Sequence, residues 1–185
     1  MKYLFFFLII LSCNPVEILE PLEFDNTQLT KISMIAKKVI VNQKYEPIYE
    51  EPYVDHSLNN PPVARLKSWI NTNIVTTGLE NTLRINILDA SIKRFEEQNI
   101  DAKKFETKEI YKYQLFYLLE FNLYDNSDYL IASTIVESNR STTSGKFISI
   151  LESERILDEL ILESLRDLST ESLVLIKQYM QDYVI

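Results

Sequence analysis

Apolar and polar side chains alternate along Ile110 to Tyr124, IYKYQLFYLLEFNLY. In an extended chain Tyr111, Tyr113, Leu115, Tyr117, Leu119, Phe121 and Leu123 share one side. Lys112, Gln114, Phe116, Leu118, Glu120 and Asn122 share the other. The turn sequence DNSD follows, and Tyr129 to Thr142 alternates again through Leu130, Ala132, Thr134 and Val136. Two such runs about a short turn predict an antiparallel hairpin. Upstream, Thr82 to Glu96 alternates through Leu83, Ile85 and Ile87, loses step at Leu88-Asp89 and resumes at Ala90 and Ile92. This is the pattern of a strand with a bulge near Asp89. Ile32 to Tyr45 reads as a further strand, with an irregularity at Lys37-Lys38.

Two segments carry the helical period instead. In Pro62 to about Thr76, Val63, Leu66, Ile70 and Ile74 recur at helical spacing, with Trp69 at the edge of the stripe. Asn60 is placed to cap this helix, proline suits its first turn, and Gly78 fits its stop. From Ser149 to the C-terminus the stripe is Leu157, Leu160, Ile161, Leu165, Leu168, Leu175, Ile176, Tyr179 and Tyr183. Ser149 and Glu152 form a capping-box signature. Unbroken, the helix would be about 50 Å long, and Leu168-Ser169-Thr170 is where a kink would fall. The stripe is wider than a coiled-coil seam, so the helix is expected to lie across a sheet. The order β-α-β-β-β-α predicts an α+β two-layer domain over residues 31–185. It has a mostly antiparallel sheet of about four strands, two helices on one face and a long C-terminal helix.

The N-terminus follows another logic. After Lys2, Leu4 to Leu11 is unbroken phenylalanine, leucine and isoleucine, ended by Asn14, Pro15 and Glu17. A spanning helix needs about 20 apolar residues, so this run is too short and reads as a secretory signal. Its end, Ile10-Leu11-Ser12-Cys13, resembles the lipobox of bacterial lipoproteins. The resemblance implies cleavage after Ser12, a diacylglyceryl group on the sulfur of Cys13 and acylation (palmitate) of the new N-terminus. One acyl chain binds a membrane only reversibly, whereas several hold it. Residues 13–30, with two prolines and several acids, read as a tether from lipid to domain. From Phe24 onward a segment packed on the domain is the alternative.

Composition narrows the function. Cys13 is the one cysteine, which rules out a disulfide within the chain and any cysteine-based metal site. The net charge is −8 and the sequence pI about 4.8, against a nucleic-acid partner and against a polybasic grip on lipid head groups. With two glycines, Gly78 and Gly145, the chain has no glycine-rich phosphate cradle. No cofactor or metal is expected.

Candidate chemistry is sparse. Glu46 to Asn60 is a proline- and acid-rich loop that holds the one histidine, His56, beside Asp55. An Asp-His pair can orient a general base, but no nucleophile stands nearby, and adjacent residues rarely share that geometry. The acidic group Glu50, Glu51 and Asp55 lacks calcium-loop spacing. Ser91 lacks an elbow-glycine context. The chain is therefore not expected to be an enzyme. Phe116 and Leu118, on the polar side of their strand, would leave an apolar patch opposite the helices. Either the chain's own loops or the N-terminal tether cover it, or it is a surface for protein or lipid. Eleven tyrosines also suit an interface. Phe116, Leu118, Asp55 and His56 are the candidate partner-binding residues.

This plan behind a lipobox resembles the lipopolysaccharide-assembly lipoproteins and the auxiliary lipoproteins of lipid-transport ABC systems. YEPIYEEPYVDH, PPVARLKSW, INILDASIKR and ESERILDELILESL resemble blocks of a proteobacterial lipoprotein family of no known activity, with matches at Tyr45, Pro47, Val54, His56, Pro62, Trp69, Asp89, Ala90 and Ser91. The resemblance carries over no functional residue except Cys13. It implies an envelope lipoprotein, a non-enzymatic accessory subunit of a transport or assembly complex; the alternative is a binder of lipid or of a small apolar ligand. Asn14 follows Cys13 where an Asp would resemble an inner-membrane retention signal, so the expected place is the outer membrane, facing the periplasm.

Overall fold

The computed structural model describes residues 24–100, 102 and 108–185. Ser12 and Cys13, the signal and the tether as far as residue 23 lie outside them. The elements in chain order are β1 (Ile32–Met34), β2 (Lys38–Gln43), α1 (Pro62–Asn73), β3 (Ile74–Thr76), β4 (Thr82–Gln98), β5 (Glu109–Tyr124), β6 (Leu130–Gly145) and α2 (Ile150–Tyr179). The class is α+β. Four strands form the main sheet in the order β2-β4-β5-β6. The β4-β5 and β5-β6 pairs are antiparallel, and β2 joins β4 in parallel. A parallel neighbour needs a crossover, which α1 supplies.

The expected first strand is two strands. The alternation breaks at Lys37, and there the chain leaves a small parallel sheet of β1 and β3 to enter the main one. The small sheet is closed by the C-terminus: Met34 bridges Val184, and Ile185 N–H donates to the Ser33 carbonyl. Gly78 sits where these backbones crowd. Its N–H donates to the Ala36 carbonyl, and a Cβ on it would lie 2.7 Å from Ala36 N. Glycine at this position answers to close approach and not to the stop of α1. That helix ends earlier, at Asn73, because β-branched Ile74, Val75 and Thr76 continue as strand. Nor does Asn60 cap it. The N-cap is Pro61, with no side-chain bond, and the exposed Asn60 lies one residue too early.

One face of the main sheet is the core. Leu83, Ile85 and Ile87 of β4 meet Leu123, Phe121 and Leu119 of β5, and all six are fully buried. The register shifts between Ile87 and Asp89, so Leu88 is the extra residue of the expected bulge. Beyond it Ala90, Tyr117 and Ser138 form one row. Both helices meet that row: the Tyr117 hydroxyl donates to the Pro62 carbonyl of α1 at 3.3 Å, and Ser138 Oγ reaches Ser164 of α2 at 3.0 Å. Ser164 is small enough to let α2 lie close on β6 at this point, and Ser169 and Ser172 are buried farther along the helix.

Ser149 caps α2, accepting from Glu152 N–H at 3.1 Å as its signature predicts. The helix runs unbroken through Leu168-Ser169-Thr170, 30 residues in all. Tyr179, expected on the buried stripe, is 58% exposed, while Ile176 and Met180 at the same end of the helix are buried, so the stripe there runs through those two and leaves Tyr179 outside it. Phe24 to Thr30 packs on the domain: Leu29 is buried, and both its carbonyl and that of Asn26 accept from the buried Asn73 amide.

Candidate functional site

Two surfaces collect the candidate residues. The first is the loop of residues 46–60, which is tied to the sheet. Where β2 ends, Lys44 and Tyr45 N–H both donate to the Ile87 carbonyl. Farther along, Val54 N–H donates to Ile92 and Arg94 N–H to Pro52, with Tyr53 bridging Lys93. The loop thus closes the edge of β4 that the short β2 leaves bare.

Asp55 lies inside this closure, 1% exposed. The Tyr45 hydroxyl donates to its Oδ2 at 2.8 Å, while Oδ1 has no partner among the described residues. Burial, and then this bond to the carboxylate, push the Tyr45 hydroxyl well above the usual tyrosine range. His56 turns outward: its Nδ1 lies 3.1 Å from the Ile48 carbonyl, and its ring stands 5.1 Å from that of Tyr49. The neighbours in sequence therefore face different ways. Asp55 bonds Tyr45, His56 bonds backbone, and the carboxylate does not orient the imidazole. Their arrangement clamps the loop. Among the described residues no group of three or more histidines, cysteines or acids is placed to hold a metal.

The second surface is the side of the sheet opposite the helices. Amide and acid side chains cross it in a ladder, with Asn42 donating to Asn86 at 3.0 Å and Asn86 to Glu120 at 2.6 Å. Ser133 donates to Asn122 in the next row. Arg84 stacks on Tyr124 and pairs with Asp128. Within this polar field Phe116 and Leu118 stand two residues apart, both half-buried. Phe116 is flanked across the strands by Ser91 and Asn139, and Leu118 by Asp89 and Glu137. Ile135 adds an apolar side chain on β6 that is 55% exposed. Phe116 and Leu118 thus share one face of β5, while Asp55 is buried beneath the loop and bonded to Tyr45.

A cavity of about 290 Å³ opens at the far end of the sheet, between the loop and the start of α2. Its apolar lining includes Val54, Leu58, Tyr113, Ile148 and Leu157. At its mouth Arg94 and Lys146 both stand over the Tyr111 ring, at 4.7 and 5.9 Å. Hydrogen bonds to Glu96 and Glu109 raise the Lys146 ammonium above its usual range. The ligand-binding alternative expects a cavity between sheet and helices. The walls of this one come from the loop, β4, β5, β6 and α2, and the pairing of those elements, which sequence does not show, sets its place.

The fold is similar to that of a minor lipoprotein from Acinetobacter baumannii, at 10% identity and a TM-score of 0.45, covering 81% of this chain and 96% of that one. It is also similar to a neuraminyllactose-binding hemagglutinin homolog from Helicobacter pylori, at 11% identity and a TM-score of 0.40, covering 88% and 92%. At these values neither likeness carries a residue or an activity across. No protein-family model and no curated relative matches the chain. Among the described residues no helix is long and apolar enough to cross a membrane.

Proposed function

We propose that this chain is a bacterial envelope lipoprotein, held by lipid on Cys13, that serves as a non-enzymatic accessory subunit of a transport or assembly complex. Ile10-Leu11-Ser12-Cys13 at the end of a short apolar run supports the anchor. The observation that carries the accessory role is the one-sided packing of the sheet. Both helices lie on one face, and the other presents Phe116 and Leu118 amid hydrogen-bonded amides. A small apolar centre inside a polar field is the anatomy of a protein interface. Outer-membrane attachment facing the periplasm follows from Asn14 and belongs to the same proposal.

A second reading has one observation in its favour, the cavity beside Tyr113 and Leu157. Ligand pockets span about 300–1,000 Å³, so its volume suits a small apolar molecule better than a diacyl lipid.

Affinity capture from detergent-solubilised membranes tests both, with proteins and small molecules identified together. Wild type is expected to retain an envelope protein that Cys13→Ser and Phe116→Glu each lose, Phe116→Glu keeping the wild-type thermal transition. A bound small molecule without a protein partner would favour the second reading. Undiminished capture by Phe116→Glu would remove the sheet face from the account, and a Cys13→Ser chain still in the membrane fraction would remove the anchor.

A further inference from the structure

The two edges of the main sheet are treated differently. On one side β2 is six residues long, is bracketed by Lys37, Lys38 and Lys44, and gives way to the loop that bonds β4 through Pro52 and Val54. Short strands, lysines and prolines are the means by which sheet edges avoid pairing with other chains. The opposite edge has none of them. β6 is 16 residues long with no proline and no lysine, and it pairs with β5 alone among the described residues. At about 3.4 Å per residue this leaves roughly 50 Å of backbone donors and acceptors open on its outer side.

A groove runs beside that edge. Arg140, Ser141 and Thr142 of β6 face Ile156, Glu159 and Glu163 of α2 across about 250 Å³. Ile156 supplies an apolar wall and the glutamates an acidic rim. Arg140, the cation of the groove, already serves two carboxylates, Glu163 and Asp167. Glu159 is exposed and has no ion-pair partner among the described residues. Glu163 also pairs with Arg166, so the unpaired charge of the groove is that of Glu159.

We propose that the β6 edge and this groove bind an extended, lysine- or arginine-bearing segment of a partner protein as an added strand. Backbone hydrogen bonds along β6 supply affinity. Alternate side chains of the segment turn toward α2, where Ile156 and Glu159 select an apolar stem with a basic tip. A second copy of the chain does not fit. Strands pair about 4.8 Å apart, and α2 lies directly on β6, so two copies would bring their α2 helices closer than the 8–10 Å that helix packing needs. A second β6 would also bring only Arg140, which is already paired. The groove lies on different residues from the Phe116 face and does not rest on the reading of that face.

The test is selection of a displayed library of random peptides on the full chain in detergent micelles. Enriched peptides are expected to carry Lys or Arg at alternate positions and to slow amide exchange along residues 130–145. Their affinity is expected to fall on the order of tenfold in Glu159→Lys and to stay unchanged in Phe116→Glu. N-methylation of alternate peptide amides, which keeps charge and removes strand donors, is expected to abolish binding. Failure to enrich any peptide would overturn the proposal. So would enriched peptides that bind Glu159→Lys undiminished, or that leave β6 exchange unchanged. A loss confined to Phe116→Glu would assign the binding to the other face.

Discussion

Leu118 and Leu119 are the same residue one position apart, and they live in different parts of the molecule. Leu119 stands between Ile87 and Val136, fully buried beneath the helices. Leu118 stands between Asp89 and Glu137 on the open side, half-buried. The strand period of two places neighbours on opposite faces. What each leucine contributes then depends on what lies across from it. One face holds the fold together, and among the described residues neither helix covers the other face.

The largest effect expected from breaking this contrast is at Leu119. Leu119→Ala removes packed methyl groups from a site closed on every side, and is expected to cost about 3 kcal/mol. Urea unfolding followed by circular dichroism measures it. A cost below about 1 kcal/mol would mean that the covered face is loosely packed there.

A smaller effect, specific to pH, comes from Tyr117 on the same face. Burial raises its hydroxyl well above the usual tyrosine range, against which the weak positive field of Arg65 acts only in part. The unfolded chain ionises this tyrosine near its ordinary value of 10.0, while the folded chain keeps it neutral. Its contribution is therefore whole below about pH 10 and is lost as pH rises toward the folded value, at about 1.4 kcal/mol per pH unit. Tyr45 is shifted in the same direction and adds a slope of its own. Tyr117→Phe is expected to remove one tyrosine's share of the alkaline slope and leave that of Tyr45. Urea unfolding at a series of alkaline pH values decides it, and an unchanged slope would show that Tyr117 ionises in place.

The contrast of the two faces was legible in sequence, because a period of two needs only the residues of one strand. The alternation of β5, the bulge after Ile87 and the Ser149 cap all follow from local pattern. Phe116 and Leu118 were found the same way. What escaped depends on partners distant in sequence. The split at Lys37, the end of α1 at Asn73 and the place of Gly78 are set by the pairing of β1 with β3 and the C-terminus. The burial of Asp55 is set by the closure of its loop on β4. A polar, proline-rich loop reads as solvated until the edge it covers is known. The groove between β6 and α2 was invisible for a related reason, since an open edge is a property of strand order and not of the strand's own residues.

The smallest effect is the sharpest test of the open face. Leu118→Ala deletes the same atoms as Leu119→Ala, from a side chain that already meets solvent and whose cross-strand neighbours are carboxylates. Little packing is lost and no closed cavity is left, so the expected cost is no more than about 1 kcal/mol. The comparison with Leu119→Ala holds residue type, strand and unfolded-state effects nearly constant, which leaves the covering of the face as the variable. Equal costs for the two would mean that something covers Leu118 in the folded chain. The face would then be core, and the proposal that Phe116 and Leu118 receive a partner would fall. A small cost together with lost capture by Leu118→Ala would show that this face keeps its apolar centre for another molecule.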